Sequence, residues 1–194
     1  MSRLRAFIAV ELPLEIRQNV QRATSGLRRD TGSLIRWVTL ENMHLTLKFL
    51  GDTLSENVEG LTQLIHAQAD SFNSFDIHLS GIGAFPGPKR PRVIYIGIQA
   101  PAELEAFQRQ LEIATRRLGY NAEERVFAAH LTIGRVRQHV SADEQQKIRR
   151  LLEASTIDSL GTARVNSVHL YKSDLKPNGP IYTKLISAHL RKTQ

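Results

Sequence analysis

Along this chain the apolar residues switch between the two-residue alternation of a strand and the wider spacing of a helix, and they do so twice in the same order. Behind Pro13, the residues Ile16, Val20, Ala23 and Leu27 fall on one helical face; behind Pro101, Leu104, Phe107, Leu111, Ala114 and Leu118 do the same. Either proline fits a first helical turn, where its missing N–H costs nothing. A further helix is predicted from Ser55, as its N-cap, through Val58, Leu61, Ile65 and Phe72. Ser141, with Glu144 three residues on, makes a capping box ahead of Ile148, Leu151 and Leu152. Between the helices, β-prone runs cover 7–10, 44–50, 75–83, 93–98, 130–136, 165–171 and 181–189. The predicted order is β-α-β-α-β, twice, with one extra closing strand.

The two rounds also match residue by residue. Phe7-Ile8-Ala9-Val10-Glu11-Leu12-Pro13 aligns with Tyr95-Ile96-Gly97-Ile98-Gln99-Ala100-Pro101, an offset of 88 (95 minus 7). His44-Leu45-Thr46-Leu47 returns as His130-Leu131-Thr132-Ile133, an offset of 86 (130 minus 44). Ser55 and Ser141 keep that register, each 11 residues after its histidine. For this composition, roughly 0.05 His-Leu-Thr triplets are expected by chance, so two in register mark a duplication. His78-Leu79-Ser80 lies outside both registers and reads as a strand histidine without a role. The Gly- and Pro-rich stretch 81–91 falls between the halves as a loop or crossover. We therefore expect an α+β fold of two pseudo-symmetric lobes, each an antiparallel sheet with helices on its outer face and a cleft between them. Residues 1–194 form a single bilobal unit on this reading, with repeats at about 5–85 and 92–190.

Composition narrows the function classes. With 194 residues, 41% of them hydrophobic, the chain can bury a sizeable core. It has no cysteine, which excludes disulfides, thiol chemistry and cysteine-held metals. The apolar run after Arg3 and Arg5 stops at Glu11, too short for a signal or membrane segment, so a cytoplasmic protein without membrane attachment is expected. The net charge of +7 favours a phosphorylated or polyanionic partner, although solubility alone would account for it equally well.

On a strand, residues i and i+2 share a face, so His44 projects with Thr46, and His130 with Thr132, while the intervening leucines point into a core. Twofold packing would set both pairs around one cleft. Two imidazoles suit a metal-free phosphodiester displacement, one taking a proton from the attacking oxygen and the other giving one to the departing oxygen. Hydroxyl donors such as Thr46 and Thr132 stabilise the charge that gathers on the non-bridging oxygens. Such a pair predicts a bell-shaped rate profile with limbs near neutrality. Lys48 shares the parity of His44 and either faces the cleft or reaches solvent. Arg135 has the wrong parity relative to His130 and reaches the cleft only through a twist or bulge. No carboxylate or second histidine stands at zinc-ligand spacing, and neither a phosphate-cradling glycine loop nor a Gly-flanked nucleophilic serine occurs, so no metal or cofactor is expected.

These motifs resemble the 2H phosphoesterase superfamily, named for paired His-x-Thr-x segments, and within it the bacterial and archaeal RNA 2′,3′-cyclic phosphodiesterases, also called 2′-5′ RNA ligases. The likeness extends through 5–13, Trp37, 41–51, 85–93, 170–173 and 179–182. It implies hydrolysis of an RNA 2′,3′-cyclic phosphate to a 2′-phosphate, with reversible 2′-5′ ligation as a neighbouring activity. On the family pattern His44 is the proton donor, His130 the proton acceptor, Thr46 and Thr132 hold phosphate oxygens, and Arg135 contacts the phosphate or substrate. Spacing alone leaves acid and base unassigned. Gly134 stands where an aliphatic residue is expected. The alternative is a basic RNA-binding module that performs no chemistry; a monomer is expected on either reading. Trp37, Phe49 and Tyr171 are the aromatic residues that could stack on a base or simply complete a core.

Overall fold

The computed structural model describes residues 2–177 and 179–192; residues 1, 178, 193 and 194 of the expected unit lie outside the described residues. Among the described residues, nine strands and five helices follow one another as β1 (Arg3–Glu11), α1 (Leu14–Ala23), α2 (Ser25–Thr31), β2 (Ile35–Trp37), β3 (His44–Leu54), α3 (Asn57–Ala69), β4 (Phe75–Phe85) and β5 (Val93–Gln99). The second half continues with α4 (Ala102–Arg117), β6 (His130–Val136), α5 (Ala142–Glu153), β7 (Ser159–Val165), β8 (Ser167–Lys176) and β9 (Gly179–His189).

The strands join in one curled antiparallel sheet, ordered β7-β4-β5-β6-β3-β1-β8-β9, with β2 added beside β6. Its two lobes, β7-β4-β5-β6 and β3-β1-β8-β9, each draw on both halves of the sequence. β4, from the first half, pairs with β5 and β7 of the second; β8, from the second half, pairs with β1 of the first. The helices cross over too, with α1 packing on β7 and α4 on β3. The Gly- and Pro-rich stretch expected as a loop divides: 81–85 continues β4, and the residues from Pro86 to Arg92 form the loop of the β4–β5 hairpin that joins the halves.

Burial accounts for the helices more than propensity does. On α3, Leu61, Ile65 and Ala69 are wholly buried against the sheet, each large side chain contributing about 1.5–3 kcal/mol. The capping box at Ser141 forms as expected: its hydroxyl accepts from the Glu144 N–H, and the Glu144 carboxylate accepts from the Ser141 N–H.

Several boundaries differ from expectation. The first helix breaks at Thr24, whose hydroxyl donates to the Val20 carbonyl at 2.8 Å, a back-bond that bends helices. Ser55 does not cap α3, because its hydroxyl is turned toward Ser2. On α4 the buried stripe ends at Thr115, and Leu118 lies exposed past the last turn. β2 and β7 are additions to the expected strands, the former hidden by its length of three residues and the latter because a register shift beside Gly161 interrupts its alternation. Among the described residues, no helix is long and apolar enough to cross a membrane.

Candidate active site

The two motif strands lie side by side at the centre of the sheet and share one residue pair, Leu45 opposite Leu131. These leucines are equivalent in the repeat and fully buried, so the local twofold passes between them. His44 and Thr46 on one strand, and His130 and Thr132 on the other, flank that axis and line a single cavity of about 760 Å³. All four are partly buried. Among the described residues neither threonine hydroxyl has a protein hydrogen-bond partner, which leaves both available to the cavity.

Each histidine is held in the same way. The Nδ1 of His44 lies 2.8 Å from the Asn42 carbonyl, and that of His130 lies 2.7 Å from the Ala128 carbonyl. A carbonyl only accepts, so both Nδ1 atoms carry the proton and both Nε2 atoms are left for the cavity. The amide of Asn42 in turn donates to the Pro180 carbonyl and ties this turn to β9. Aromatic rings form the floor. His44 stacks on Phe7 at 4.8 Å and meets Tyr182 edge-on at 5.2 Å; His130 meets Tyr95 at 5.5 Å and Phe85 at 5.0 Å. Phe7 and Tyr95 are equivalent in the repeat. Tyr95 lies flat over Gly83, where a Cβ would fall 2.5 Å from its ring, so this floor requires glycine opposite.

The electrostatics of His44 follow from this packing. Burial among the rings drives its pKa down to about 4, the Asn42 carbonyl opposes the shift, and the charges of Arg135 and His130 add to it. Tyr182 is raised by burial, with Arg135 and Arg36 pulling the other way.

Two matched bulges decide which further residues face the cavity. The β1–β3 register shifts between Ile8 and Ala9, leaving Leu47 without a partner; the β5–β6 register shifts between Ile94 and Tyr95, leaving Ile133 so. A bulge inverts the parity beyond it. Lys48 is thereby turned off the face of His44 and does not reach solvent, although it is still among the residues that line the cavity. Its side chain is 1% exposed, and its ammonium reaches the Glu112 carboxylate of α4 at 2.9 Å and the Asn121 carbonyl at 2.6 Å. The same inversion brings Arg135 to the cavity wall, against its simple parity. Phe49 holds the equivalent place in the first repeat (135 minus 49 is again 86); it is 60% exposed and also lines the cavity. Gly134 fits beneath β2, where a Cβ would meet Ile35 at 2.8 Å.

Of the other aromatic candidates, Tyr171 packs behind Phe7 at 5.3 Å, and Trp37 lines the cavity with the Arg28 guanidinium 4.7 Å from its ring centre. His78 is remote from the cavity and lies 3.3 Å from the Thr162 hydroxyl. Sequence reasoning missed Phe7, Tyr95, Phe85, Tyr182 and Arg36 as site residues. The repeat held a signal for the first two, since an aromatic opens each equivalent strand. Among the described residues, no group of three or more His, Asp or Glu side chains is arranged to hold a metal ion.

Comparison with known proteins agrees with the repeat. A model of the family described as LigT like phosphoesterase matches twice, at 10–95 and 96–182. The chain is 32% identical over 183 residues to an RNA 2′,3′-cyclic phosphodiesterase of Methanothermobacter thermautotrophicus, covering 94% of this chain and 97% of that one. It is 31% identical over 182 residues to a protein of the same name from Archaeoglobus fulgidus, covering 94% and 98%. Among solved structures, it is similar to a Thermus thermophilus protein with a TM-score of 0.83 at 26% identity, covering 98% of this chain and 100% of that chain. E. coli LigT complexed with 3′-AMP gives a TM-score of 0.75 at 25% identity, covering 97% and 99%. The chain belongs to the LigT-like phosphoesterase family, the 2H phosphoesterases that its paired histidine motifs resemble.

Proposed function

We propose that this protein hydrolyses a terminal RNA 2′,3′-cyclic phosphate to a 2′-phosphate by metal-independent acid–base chemistry, within one unit made from both repeats. The observation that carries this reading is the pair of equally tethered imidazoles, His44 and His130, with Nε2 free on either side of one twofold and facing one cavity. In the reaction, water attacks phosphorus and passes a proton to Nε2 of His130. The P–O3′ bond breaks, and O3′ receives the proton held on Nε2 of His44. The product carries a 3′-hydroxyl and a 2′-phosphate. Thr46 and Thr132 donate to the non-bridging oxygens, and Arg135 offsets their growing charge. His44 is neutral in the free protein near pH 7, and the negative phosphate beside it favours the protonated form that a donor needs. Lys48, held by Glu112, takes no part at the phosphate. The names of the relatives and the nucleotide complex of E. coli LigT support the substrate class.

The test is turnover of adenosine 2′,3′-cyclic phosphate by chelator-treated protein, with the product identified by phosphorus NMR. We expect the 2′-phosphate alone, loss of about 10²- to 10⁴-fold in kcat for His44→Ala and for His130→Ala, and a smaller loss for Thr46→Val or Thr132→Val. An intact cyclic phosphate would leave the RNA-binding alternative, and full activity in both histidine variants would end the acid–base assignment. With a 5′-hydroxyl in place of water, the same acid–base pair would join 2′-5′ ends; run backward, O3′ attacks the 2′-5′ diester, O5′ leaves with a proton and the cyclic phosphate forms again, a direction measured by incubation with 2′-5′ linked dinucleotides.

A further inference from the structure

Arg36 and Arg135 form a like-charged pair with no evident structural purpose. They are direct cross-strand neighbours on β2 and β6, both exposed and both lining the cavity. Like charges placed opposite one another on a sheet are destabilising. Among the described residues neither has an acidic partner; of the other cations lining the cavity, Lys48 is engaged by Glu112, and Arg5 and Arg125 are also without an ion pair, but only Arg36 and Arg135 are set directly opposite one another. Both guanidinium charges act on the Tyr182 hydroxyl, and that of Arg135 also acts on His44. β5 holds one edge of β6, and β2 pairs with the other edge, the one that meets β3 at Leu131, so Arg36 and Arg135 stand together along the wall beyond His44.

Two adjacent cations without counter-charges are suited to two adjacent phosphates. A free nucleoside 2′,3′-cyclic phosphate brings only one. An RNA 3′ end brings a second, the diester that joins the terminal nucleotide to its neighbour through O5′. We propose that Arg36 is a substrate-discriminating residue that binds the 5′-phosphate of the terminal nucleotide, so that the cavity favours an RNA end over a free cyclic mononucleotide. The inference rests on the proposed reaction for the place of the first phosphate, at His44, His130 and Arg135. Arginine suits the task, because its planar fork grips a phosphate at two points and never loses its charge.

Binding separates this idea from the reaction itself. Calorimetry is carried out on the whole protein with adenosine 2′-monophosphate and adenosine 2′,5′-bisphosphate, for the native chain and for Arg36→Gln, Arg36→Lys and Arg135→Gln. The native protein is expected to bind the bisphosphate about tenfold more tightly than the monophosphate, the scale of one charge-assisted phosphate contact. Arg36→Gln should bring that ratio close to one, Arg36→Lys should restore part of it, and Arg135→Gln should weaken both ligands. A merely structural arginine would lower the urea midpoint on replacement; relief of the like-charge pair should keep it level or raise it. A ratio that survives Arg36→Gln, or a loss shared equally by both ligands, overturns the proposal. Because no turnover is needed, a failure of the cyclic phosphodiesterase reading would appear separately, as an intact cyclic substrate.

Discussion

At the scale of single residues, the contrast between desolvation and hydrogen bonding sets the behaviour of the site. His44 and His169 are both held at about 4, and in both the largest cause is burial. His169 sits between Ser187, 2.8 Å from its Nδ1, and Ser167, 3.2 Å from its Nε2, beside the Glu11–Lys184 ion pair. A folded pKa below the ordinary 6.5 means that the unfolded chain takes up these protons first. Their stabilisation is therefore complete above about pH 6.5 and is lost as the pH falls toward 4. For His44 the loss at pH 5 is on the order of 2 kcal/mol. Urea midpoints at pH 7.5 and pH 5 measure it, and His44→Gln should flatten the dependence. In the same range, NMR of the free protein should show the His44 ring neutral down to about pH 5, with adenosine 2′-monophosphate moving its titration upward. The acid limb of kcat/KM is then expected near pH 4, below the neutral limbs anticipated from unperturbed histidines. The identity of these histidines was legible in the sequence, because the duplication marked them. Their protonation was not, because the rings that desolvate His44 come from β1 and β9, distant in the chain.

At the scale of elements, the bulges at Leu47 and Ile133 matter more than propensity. Most strands were legible from their alternation, and β6 spans the expected 130–136. The inverted parity beyond each bulge was not, since an extra residue in a strand is visible only against its partner. One consequence is the buried Lys48–Glu112 pair, which links β3 to α4. The Glu112 carboxylate also accepts from the Glu123 N–H at 3.1 Å, tethering the segment that carries Val126 and Phe127 along the cavity wall. Lys48→Met leaves the Glu112 charge without its partner and is expected to cost about 3–5 kcal/mol. Adding Glu112→Leu should recover most of that loss, because two apolar side chains of similar size replace an ion pair at little cost. Urea denaturation of the two variants checks this; equal stabilities for the single and double variants would show that the pair is not energetically coupled.

At the scale of the whole molecule, the exchange of strands couples the halves. Each lobe holds strands from both repeats, so neither half of the sequence contains a closed core. Unfolding is expected as one transition, with Trp37 fluorescence and far-ultraviolet circular dichroism changing together. A fragment of residues 1–91 should be unfolded alone, and a folded fragment with native-like dichroism would refute the coupling. The sequence alone determined the duplication, the alternation of strands and helices, the capping box and the four paired motif residues, because all of these are written in local spacing. Only the tertiary structure decided which lobe each strand joins, the burial of Lys48, the turning of Arg135 and Phe49 toward the cavity, and the neutrality of His44. Those features depend on which distant strand lies alongside, and strand pairing, bulges and desolvation have no local signature.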